Sequence, residues 1–394
     1  MIPEGWREST LADSADIVCG FPFKSSDFRD SGSHRLLRGD NVGQGVAKWD
    51  GVKWMDPSTR EAMYSLRPHD VVLAMDRPWV GAGLKCAVVQ ESDTPSLLVQ
   101  RVARLRAKGE VDQRFLGYAV NNATFAEYVV SVQTGTSIPH ISSRQIGEHR
   151  LLMPPLDRQR AVAAVLGALD DKIAANTKLA STAEDLARTL ASAVPVTVPL
   201  GEIVEHIKTT VNPDGLADDR VAHFSLPAFD AGIEPEVVGP QEIKSNKFLV
   251  GEPSVLVSKL NPRFPRVWNI PTISPLTSLA STEFVTLRPR FSSTTLLWAL
   301  TSQPAFGSAL EAMVAGTSGS HQRVKPAEML STLVPDPRVM SDVLVGQIDA
   351  LGLRAISSRD ESRTLAATRD ALLPQLMSGK LRVKDAERAV SEVA

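Results

Sequence analysis

The chain has 394 residues, and its 43 Lys and Arg residues nearly balance its 45 Asp and Glu residues, for a formal net charge of −2. This length predicts two or three domains, and the balanced charge excludes a general basic footprint, so any contact with nucleic acid must rely on local charge. The two cysteines fit neither a disulfide framework nor a zinc site, no uncharged apolar run reaches the ~18 residues of a membrane span, and the N-terminal sequence is not a signal peptide, so we expect a cytoplasmic protein.

Residues 1–154 have the pattern of a mixed α/β domain. Apolar runs predict buried strands over Asp70–Met75 and Ser96–Arg106, and helical spacing runs from Phe115 to Val130. The loop Gln133–His140 offers backbone amides, hydroxyls and an imidazole, which suit a phosphate, and it fits a tight turn beside a helix equally well. The side chains in this domain that could contact nucleic acid are Arg38, Asn41, Lys53, Arg77, Ser137 and His140.

Residues 155–194 predict one long helix, Leu156–Val194. Its apolar seam advances by alternating steps of four and three residues, which is typical of a heptad facing a partner helix. No proline interrupts the helix, and at 1.5 Å per residue it would be roughly 58 Å long. A helix of this length cannot bury its seam alone, so we expect a partner helix in the chain. The seam consists of Val162, Leu166, Leu169, Ile173, Asn176, Ala180, Ala183, Ala187, Leu190 and Val194.

Residues 195–335 predict a second α/β domain, with strands at Val255–Val257 and Phe284–Leu287 and a mostly helical stretch over Thr294–Val314. Its basic window, Lys244–Trp268, contains five Lys and Arg residues against a single acid. Lys and Arg neutralise phosphates, and Asn and Arg can pair with base edges, although a solvated basic loop is the alternative. The candidate contacts of this domain are Lys244, Asn246, Lys247, Lys259, Asn261, Arg263, Arg266, Ser318 and His321.

Residues 336–380 predict the second long helix, because the same three-four spacing returns there. Ser358, Ser362 and Arg369 interrupt its seam. We expect the two long helices to pair antiparallel as a coiled coil, and residues 381–394 to form a charged, frayed tail. The apolar seam positions are Leu344, Ile348, Leu351, Ala355, Leu365, Leu372 and Leu376.

The chain also contains a weak internal repeat. Each match alone carries little weight, but matches in the same order at shifts of 179 to 184 residues are not easily chance. The sequence therefore predicts a mixed α/β protein in which one domain and one long helix occur twice, with pseudo-twofold symmetry. The matches are Ala74–Pro78 with Ser258–Pro262 (in the proline alone), Gly135–Ser137 with Gly316–Ser318, and Leu166–Asp170 with Val345–Asp349.

Enzymatic motifs are weak. The chain contains neither a G-x-x-x-x-G-K-[ST] phosphate loop nor a G-x-S-x-G elbow, and its histidines lack metal-ligand spacing. Asp214, Glu242 and Lys244 formally match a pattern of metal-dependent nucleases, but so short a pattern at so loose a spacing often arises by accident. We keep a nuclease only as an alternative.

Several longer segments together indicate a family. They are Met153–Leu156 after the Gly-Thr-Ser loop, Leu169–Ile173, Ile243–Phe248, Val257–Arg263 and Leu372–Gly379. With two α/β domains, each followed by a long helix, the chain resembles the specificity subunit of type I restriction–modification systems over nearly its whole length. One departure is the second junction, Val334–Pro337, which lacks the Pro-Pro-Leu of the first.

The resemblance implies a non-catalytic DNA reader. Each α/β domain would be a target-recognition domain for one half of a bipartite site in double-stranded DNA, and the helices would set the distance between the halves. Two methyltransferase subunits would dock on the helices, bind S-adenosylmethionine and methylate adenine, and restriction or translocase subunits would join them. We expect no catalytic residue, metal or cofactor in this chain. A coiled-coil scaffold without DNA binding is a second alternative.

Overall fold

The structure is a computed structural model that describes residues 2–135, 137–314 and 322–391. The chain divides into two compact units, each built from residues that are distant in sequence. Unit 1 is Met1–Ala174 with Ser362–Ala394, and unit 2 is Ala175–Glu361.

Each unit contains one predicted α/β domain and part of both long helices. Unit 1 contains module 1, residues 1–154, and unit 2 contains module 2, residues 195–335. None of the helices in the described parts of the chain is both long and apolar enough to cross a lipid bilayer.

Module 1 combines twelve strands with four helices in the parts that the structure describes. The helices are α1 (Leu11–Ser14), α2 (Gln113–Val120), α3 (Ala123–Val132) and α4 (Ser143–Gly147). The strands are β1 (Arg7–Thr10), β2 (Ala15–Cys19), β3 (His34–Leu37), β4 (Gln44–Gly45), β5 (Trp54–Met55), β6 (Val71–Ala74), β7 (Trp79–Val80), β8 (Gly83–Leu84), β9 (Cys86–Val88), β10 (Ser96–Leu98), β11 (Val102–Ala107) and β12 (Arg150–Met153).

The main sheet of module 1 has the strand order β2-β11-β6-β9-β4, and its central strand β6 is buried on both faces. Val71 and Leu73 pack into the cluster that contains Phe125 of α3, whereas Val72 and Ala74 pack into a second cluster on the other face. Successive side chains of a strand point to opposite faces, so an all-apolar run such as β6 belongs in the middle of the fold.

Two elements predicted as single pieces are each divided. The predicted helix Phe115–Val130 becomes α2 and α3 because the Asn122 side chain accepts a hydrogen bond from Phe125 N (3.0 Å) and caps a new helix. The predicted strand Ser96–Arg106 becomes β10 and β11 because Arg101 takes a left-handed backbone, with φ 68°. The predicted strand Asp70–Met75 is confirmed as β6.

The first long helix, α5, spans Leu156–Ser192 and confirms the predicted central helix. Module 2 follows it with helices α6 (Leu200–Ile203), α7 (Leu226–Gly232), α8 (Thr294–Thr301), α9 (Pro304–Val314) and α10 (Pro326–Ser331). Its strands are β13 (Thr197–Pro199), β14 (Val204–Ile207), β15 (Thr210–Val211), β16 (Val221–Phe224), β17 (Glu236–Val238), β18 (Lys247–Leu249), β19 (Ser254–Ser258), β20 (Val267–Ile270), β21 (Ser278–Ala280), β22 (Phe284–Pro289) and β23 (Leu333–Pro335).

Module 2 repeats the topology of module 1. Its antiparallel sheet has the order β14-β22-β19-β20, which corresponds to β2-β11-β6-β9, and β13 pairs with β23 as β1 pairs with β12. The registers agree as well, because Val102 lies opposite Ala74 and Phe284 lies opposite Ser258. The predicted internal repeat is therefore confirmed in the fold.

The distal helix α11 spans Asp342–Met377, and a last helix, α12, spans Val383–Ser391. The prediction placed the start of the distal helix at residue 336. It begins later because Asp336 accepts a hydrogen bond from Arg338 N (2.9 Å) and caps a 3-10 turn at Pro337–Val339. The prediction of a frayed tail is wrong over residues 383–391, where Ala386 of α12 is fully buried.

Within each unit the segments of α5 and α11 pack antiparallel along the predicted seams. In unit 1, Arg369 Nη1 lies 2.8 Å from Asp170 Oδ1. In unit 2, Asn176 Nδ2 donates to Glu361 Oε2 at 2.9 Å. The seam residues of unit 1 are Val162, Leu166, Leu169, Leu365, Leu372 and Leu376, and those of unit 2 include Ala180, Ala183, Leu351 and Ala355.

Candidate nucleic-acid interface

Three chain segments of module 1 meet just beyond the end of β6. Met75 N donates a hydrogen bond to Arg101 O at 2.8 Å, and Ile141 N donates to Met75 O at 2.9 Å. Arg77 takes a left-handed backbone, φ 46°, and its N–H donates to Pro139 O at 2.7 Å. These bonds join the loop after β6 to the turn before β11 and to the loop after α3. We call this arrangement the three-way junction.

The same three-way junction is present in module 2. Lys259 N donates to Glu283 O at 2.9 Å, and Val324 N donates to Lys259 O at 2.9 Å. Asn261 has the left-handed backbone, φ 49°, and its N–H donates to Gln322 O at 2.8 Å. Each hydrogen bond matches one in module 1 at a shift of 182 to 184 residues. The match at the proline after Arg77 and after Asn261 therefore reflects an equivalent loop.

The two junctions share their backbone but differ in their side chains. In module 1, His140 Nδ1 donates to Asp76 at 2.6 Å, and Arg101 Nε lies 3.6 Å from the same carboxylate. In module 2, the guanidinium of Arg323 forms two hydrogen bonds to Glu283, at 2.9 and 3.0 Å. The equivalent positions Arg101 and Glu283 thus carry opposite charges. One scaffold presents two different chemical surfaces.

Three predicted DNA contacts of module 1, Arg38, Asn41 and Lys53, form hydrogen bonds or ion pairs within the chain. Asn41 is 1% exposed, and its Nδ2 donates to Lys48 O at 2.8 Å, so the side chain shapes its own loop. Arg38 donates to Gly51 O at 3.2 Å, and Lys53 lies 2.5 Å from Asp30. All three side chains are engaged within the chain, and their contact with DNA stays a prediction.

A cluster of cations lies near the junction of module 1. Burial lowers the pKa of Lys85, Asp40 raises it, and the positive charges of Arg77 and Lys48 lower it further, so each of these three groups lies within electrostatic range of Lys85. Arg77 is exposed. Lys85 was not among the predicted contacts, because it falls in no basic run and only the β6–β9 hairpin brings it close.

Two cations of the basic window of module 2, Lys247 and Arg266, are bonded within the chain. Lys247 is 7% exposed, and its Nζ donates to Ser245 O at 2.9 Å and to Ser245 Oγ at 2.6 Å; burial lowers its pKa. Arg266 pairs with both carboxylate oxygens of Asp230, at 2.7 and 2.8 Å, which raises the pKa of the arginine. These two cations stabilise the window from inside.

The exposed candidates of module 2 are Lys244, Asn246 and Arg263, and Lys259 is half-buried at the junction. Arg263 has its guanidinium carbon 5.9 Å from the ring centroid of Phe264. The positive charge of Lys259 adds to burial in lowering the pKa of His206. Local positive charge of this kind is what an interface with phosphates requires in a chain of balanced net charge.

The structure describes most of the Gly-Thr-Ser loop of module 1 but not the corresponding loop of module 2. Ser137 is exposed, beside Gly135, whose backbone is left-handed (φ 94°) and where an added Cβ would lie 2.6 Å from Ile138 O. Ser318 and His321, the corresponding candidates of module 2, lie outside the described residues. In module 1 the loop is fixed by the hydrogen bond between His140 and Asp76.

Comparison with known proteins gives relatives of one kind. No family model matches the chain. It is 33% identical over 175 residues to the type I restriction enzyme MjaVIII specificity subunit of Methanocaldococcus jannaschii, and 33% identical over 183 residues to the type I restriction enzyme EcoAI specificity subunit of Escherichia coli. These matches cover 44% and 45% of this chain and 41% and 30% of the relatives, so the chain spans less than half the length of the curated relatives it matches.

A solved structure supports the architecture. The crystal structure of the type I restriction–modification system S subunit from M. genitalium matches with a TM-score of 0.59 over 94% of this chain and 96% of that one, at 16% identity. At this identity the likeness shows the fold alone. The relatives confirm the resemblance that the sequence motifs indicated, and the S subunit structure confirms two α/β modules with paired long helices.

Proposed function

We propose that this chain is the DNA sequence-specificity subunit of a type I restriction–modification complex. Module 1 reads one half of a bipartite site and module 2 reads the other. The observation that carries the proposal is the three-way junction, which recurs with the same hydrogen bonds and different exposed side chains. Two readers of unlike half-sites need a shared scaffold with different groups for base edges. The similarity to specificity subunits supports the same conclusion.

The proposal assigns chemistry to partner subunits. Two methyltransferase subunits dock on the long helices, hold S-adenosylmethionine and methylate adenine, and restriction or translocase subunits complete the assembly in the cytoplasm. This chain positions them and supplies no catalytic group. The pairing of α5 with α11 supports such a role, because a packed helix pair is stiff enough to fix a distance.

Methylation mapping tests the proposal. Deleting the gene from its host should abolish adenine methylation at one bipartite sequence, and the intact gene on a plasmid should restore it. Exchanging residues 1–150 for the matching segment of a relative should change one half of that sequence and leave the other half as it was. A chimera in which both halves change would contradict the assignment of one module to each half.

The alternative of a metal-dependent nuclease has no support in the geometry. Glu242 accepts a hydrogen bond from Gly239 N at 2.7 Å and closes a 3-10 turn. No group of three or more His, Cys, Asp or Glu among the described residues is placed to hold a metal. Incubating the purified chain with DNA and Mg²⁺ distinguishes the two, since only the nuclease would cut. A scaffold without DNA binding would show no salt-dependent affinity for DNA.

A further inference from the structure

Both modules carry an exposed aromatic ring within two residues of the proline in the loop that leaves the three-way junction. In module 1 this loop joins β6 to β9, and in module 2 it joins β19 to β20. Directly after the left-handed residue and the proline, module 1 presents Trp79, 44% exposed; module 2 presents Phe264, 60% exposed, one residue later, after Arg263. The rest of the two loops differs in length and sequence.

Single exposed apolar side chains are common and need no explanation by themselves. These two rings differ from the others because each lies in the loop that leaves its module's three-way junction, Trp79 directly after the aligned proline and Phe264 one residue further on. The basic window of module 2 also contains Phe248 and Trp268, but Trp268 is 4% exposed and packs against Phe224 and Phe284. Only Phe264 of these three aromatic side chains is largely exposed.

Each ring projects from a loop that the structure holds in place. In module 2, Phe264 N donates to Asn261 O at 2.9 Å, and Arg266 Nη1 donates to Phe264 O at 3.2 Å while its guanidinium is clamped by Asp230. In module 1, Trp79 pairs with the buried Leu84 across the β7–β8 hairpin, and Lys85 N donates to Pro78 O at 2.7 Å. A side chain that is already positioned loses less entropy when it binds.

Cations flank both rings. Arg263 lies beside Phe264, and Arg77 precedes Trp79 by two residues and lies within electrostatic range of Lys85. A flat apolar ring near positive charge suits DNA, because phosphates pair with the cations while a base step that partly unstacks exposes a π-face on which the ring can stack. A protein partner with an acidic rim would be the other occupant of such a surface, and DNA binding together with subunit retention on gel filtration separates the two.

We propose that Trp79 and Phe264 each stack on a base step within the half-site that their own module reads. The inference rests on the proposed function and deepens it by naming an aromatic contact in each module. The ring adds affinity through stacking, and it adds specificity because base steps differ in how readily they unstack.

The experiment uses the full chain assembled with its methyltransferase subunits and a duplex that carries the bipartite site mapped in the host. Phe264→Ala should weaken binding by about fivefold to a hundredfold, as aromatic truncation does at stacking sites. Phe264→Trp should keep the affinity, because it keeps a ring. Trp79→Ala and Trp79→Phe form the same pair in module 1.

Phe291 provides the matched control in module 2. It is 59% exposed, nearly the same as Phe264, but it follows β22. Ser258 lies opposite Phe284 and Val255 opposite Leu287, so the loop of Phe264 and the segment of Phe291 leave opposite ends of this strand pair. Phe291→Ala should leave DNA affinity unchanged.

Fluorescence quenching tests the stacking directly. The Phe264→Trp complex, compared with wild type, should contain one additional tryptophan that iodide quenches in the free complex and no longer reaches once the cognate duplex is added. The difference between wild type and Trp79→Phe should report the same protection for Trp79. A merely structural role would not produce this protection.

Each outcome has a definite meaning. If Phe264→Ala and Phe291→Ala bind the duplex equally well and the new tryptophan stays open to iodide, the rings do not contact DNA and the inference fails, while the proposed function stands. If the alanine variants bind DNA normally but lose a methyltransferase subunit on gel filtration, the rings serve a protein partner instead. If wild type itself does not discriminate the mapped duplex, the proposed function fails and the inference fails with it.

Discussion

His149 links the stability of module 1 to pH. Its imidazole is 6% exposed and lies 5.0 Å from the ring of Phe125 and 4.7 Å from the ring of Tyr128. Burial lowers its pKa to about 4, compared with ~6.5 in an unfolded chain. Between these values the unfolded chain binds a proton that the folded chain excludes, so stability is complete above pH ~6.5 and falls as the pH drops towards 4.

The first prediction follows from this proton balance. Below pH 6.5, His149 should lower the free energy of unfolding by up to about 1.4 kcal/mol per pH unit. His149→Gln should start from a lower stability at pH 7, because the rings lose packing, but its stability should decline less steeply. Urea unfolding at pH 7, 6 and 5 gives the dependence of the unfolding free energy on pH for wild type and for His149→Gln. Equal dependences in the two proteins would exclude His149 as the cause.

Arg263 allows a test of whether a single exposed cation contacts a phosphate or a base edge. It has no ion-pair partner among the contacts of the described residues, unlike Arg266, so its guanidinium is available to DNA. Arg263→Ala should lower the salt slope of binding by about one unit if the contact is a phosphate, or cost about 1 to 3 kcal/mol and relax one base position if it is a base edge.

Arg263→Lys separates these two outcomes. Lysine keeps the charge but cannot form the paired hydrogen bonds of a guanidinium. A phosphate contact should therefore survive this substitution, whereas a base contact should not. Binding measured over a salt series, with a panel of single-base variants of the half-site, gives the result. Wild-type behaviour of both variants would remove Arg263 from the interface.

At the scale of elements, the long helices could be predicted from the sequence because the heptad is a local and repeated signal. The division of Ser96–Arg106 could not, since it depends on a left-handed backbone at Arg101, a residue type that rarely adopts one. That Trp79 and Phe264 lie in corresponding loops could not be predicted either. No sequence match extends past Pro78 and Pro262, and only the strand registers align the two loops.

The contacts that charged candidates make within the chain could not be predicted from the sequence either. Composition does not distinguish a cation that faces solvent from one that closes a turn, as Lys247 does, or pairs with a distant acid, as Arg266 does, and the contact of both with DNA stays a prediction. Asp230 lies 36 residues before Arg266, so their pairing becomes visible only once α7 and β20 are placed.

Module 1 is joined to α5 by a polar contact that involves Asp170. Tyr118 Oη of α2 donates to Asp170 Oδ2 at 2.5 Å, and Arg369 of α11 holds the other carboxylate oxygen. Burial, and then the hydrogen bond to Asp170, raise the pKa of Tyr118. In module 2, Ser293 donates to Asp349, which occupies the matching place in the repeat.

Removing the Tyr118 hydroxyl should weaken the contact between module 1 and α5. Tyr118→Phe should lower the free energy of unfolding by about 1 to 2 kcal/mol, since the hydrogen bond is to a charged acceptor and is partly buried. A double-mutant cycle with Asp170→Asn isolates the pair from changes elsewhere. Additive effects of the two substitutions would show that this contact contributes nothing of its own.

At the scale of the whole molecule, the repeat makes a spacing experiment possible. If the paired helices set the distance between half-sites, lengthening them should change the spacer and leave both half-sites intact. The unit boundaries fall within the helices, after Ala174 in α5 and after Glu361 in α11. Because α5 and α11 pack against each other within each unit, an insertion matched in both helices preserves the seam contacts on either side.

The last prediction concerns this matched insertion of four residues after Ala174 and four after Glu361. Four residues add about 6 Å at 1.5 Å per residue and shift the heptad phase only slightly. DNA rises roughly 3.4 Å per base pair, so the spacer should grow by one or two base pairs. A matched insertion of two residues would rotate one unit by about 200° and should abolish methylation. Methylation mapping reads all of these results. An active four-residue variant with the original spacer would mean that some other part of the complex sets the distance, because the helices could then be lengthened without moving the half-sites apart.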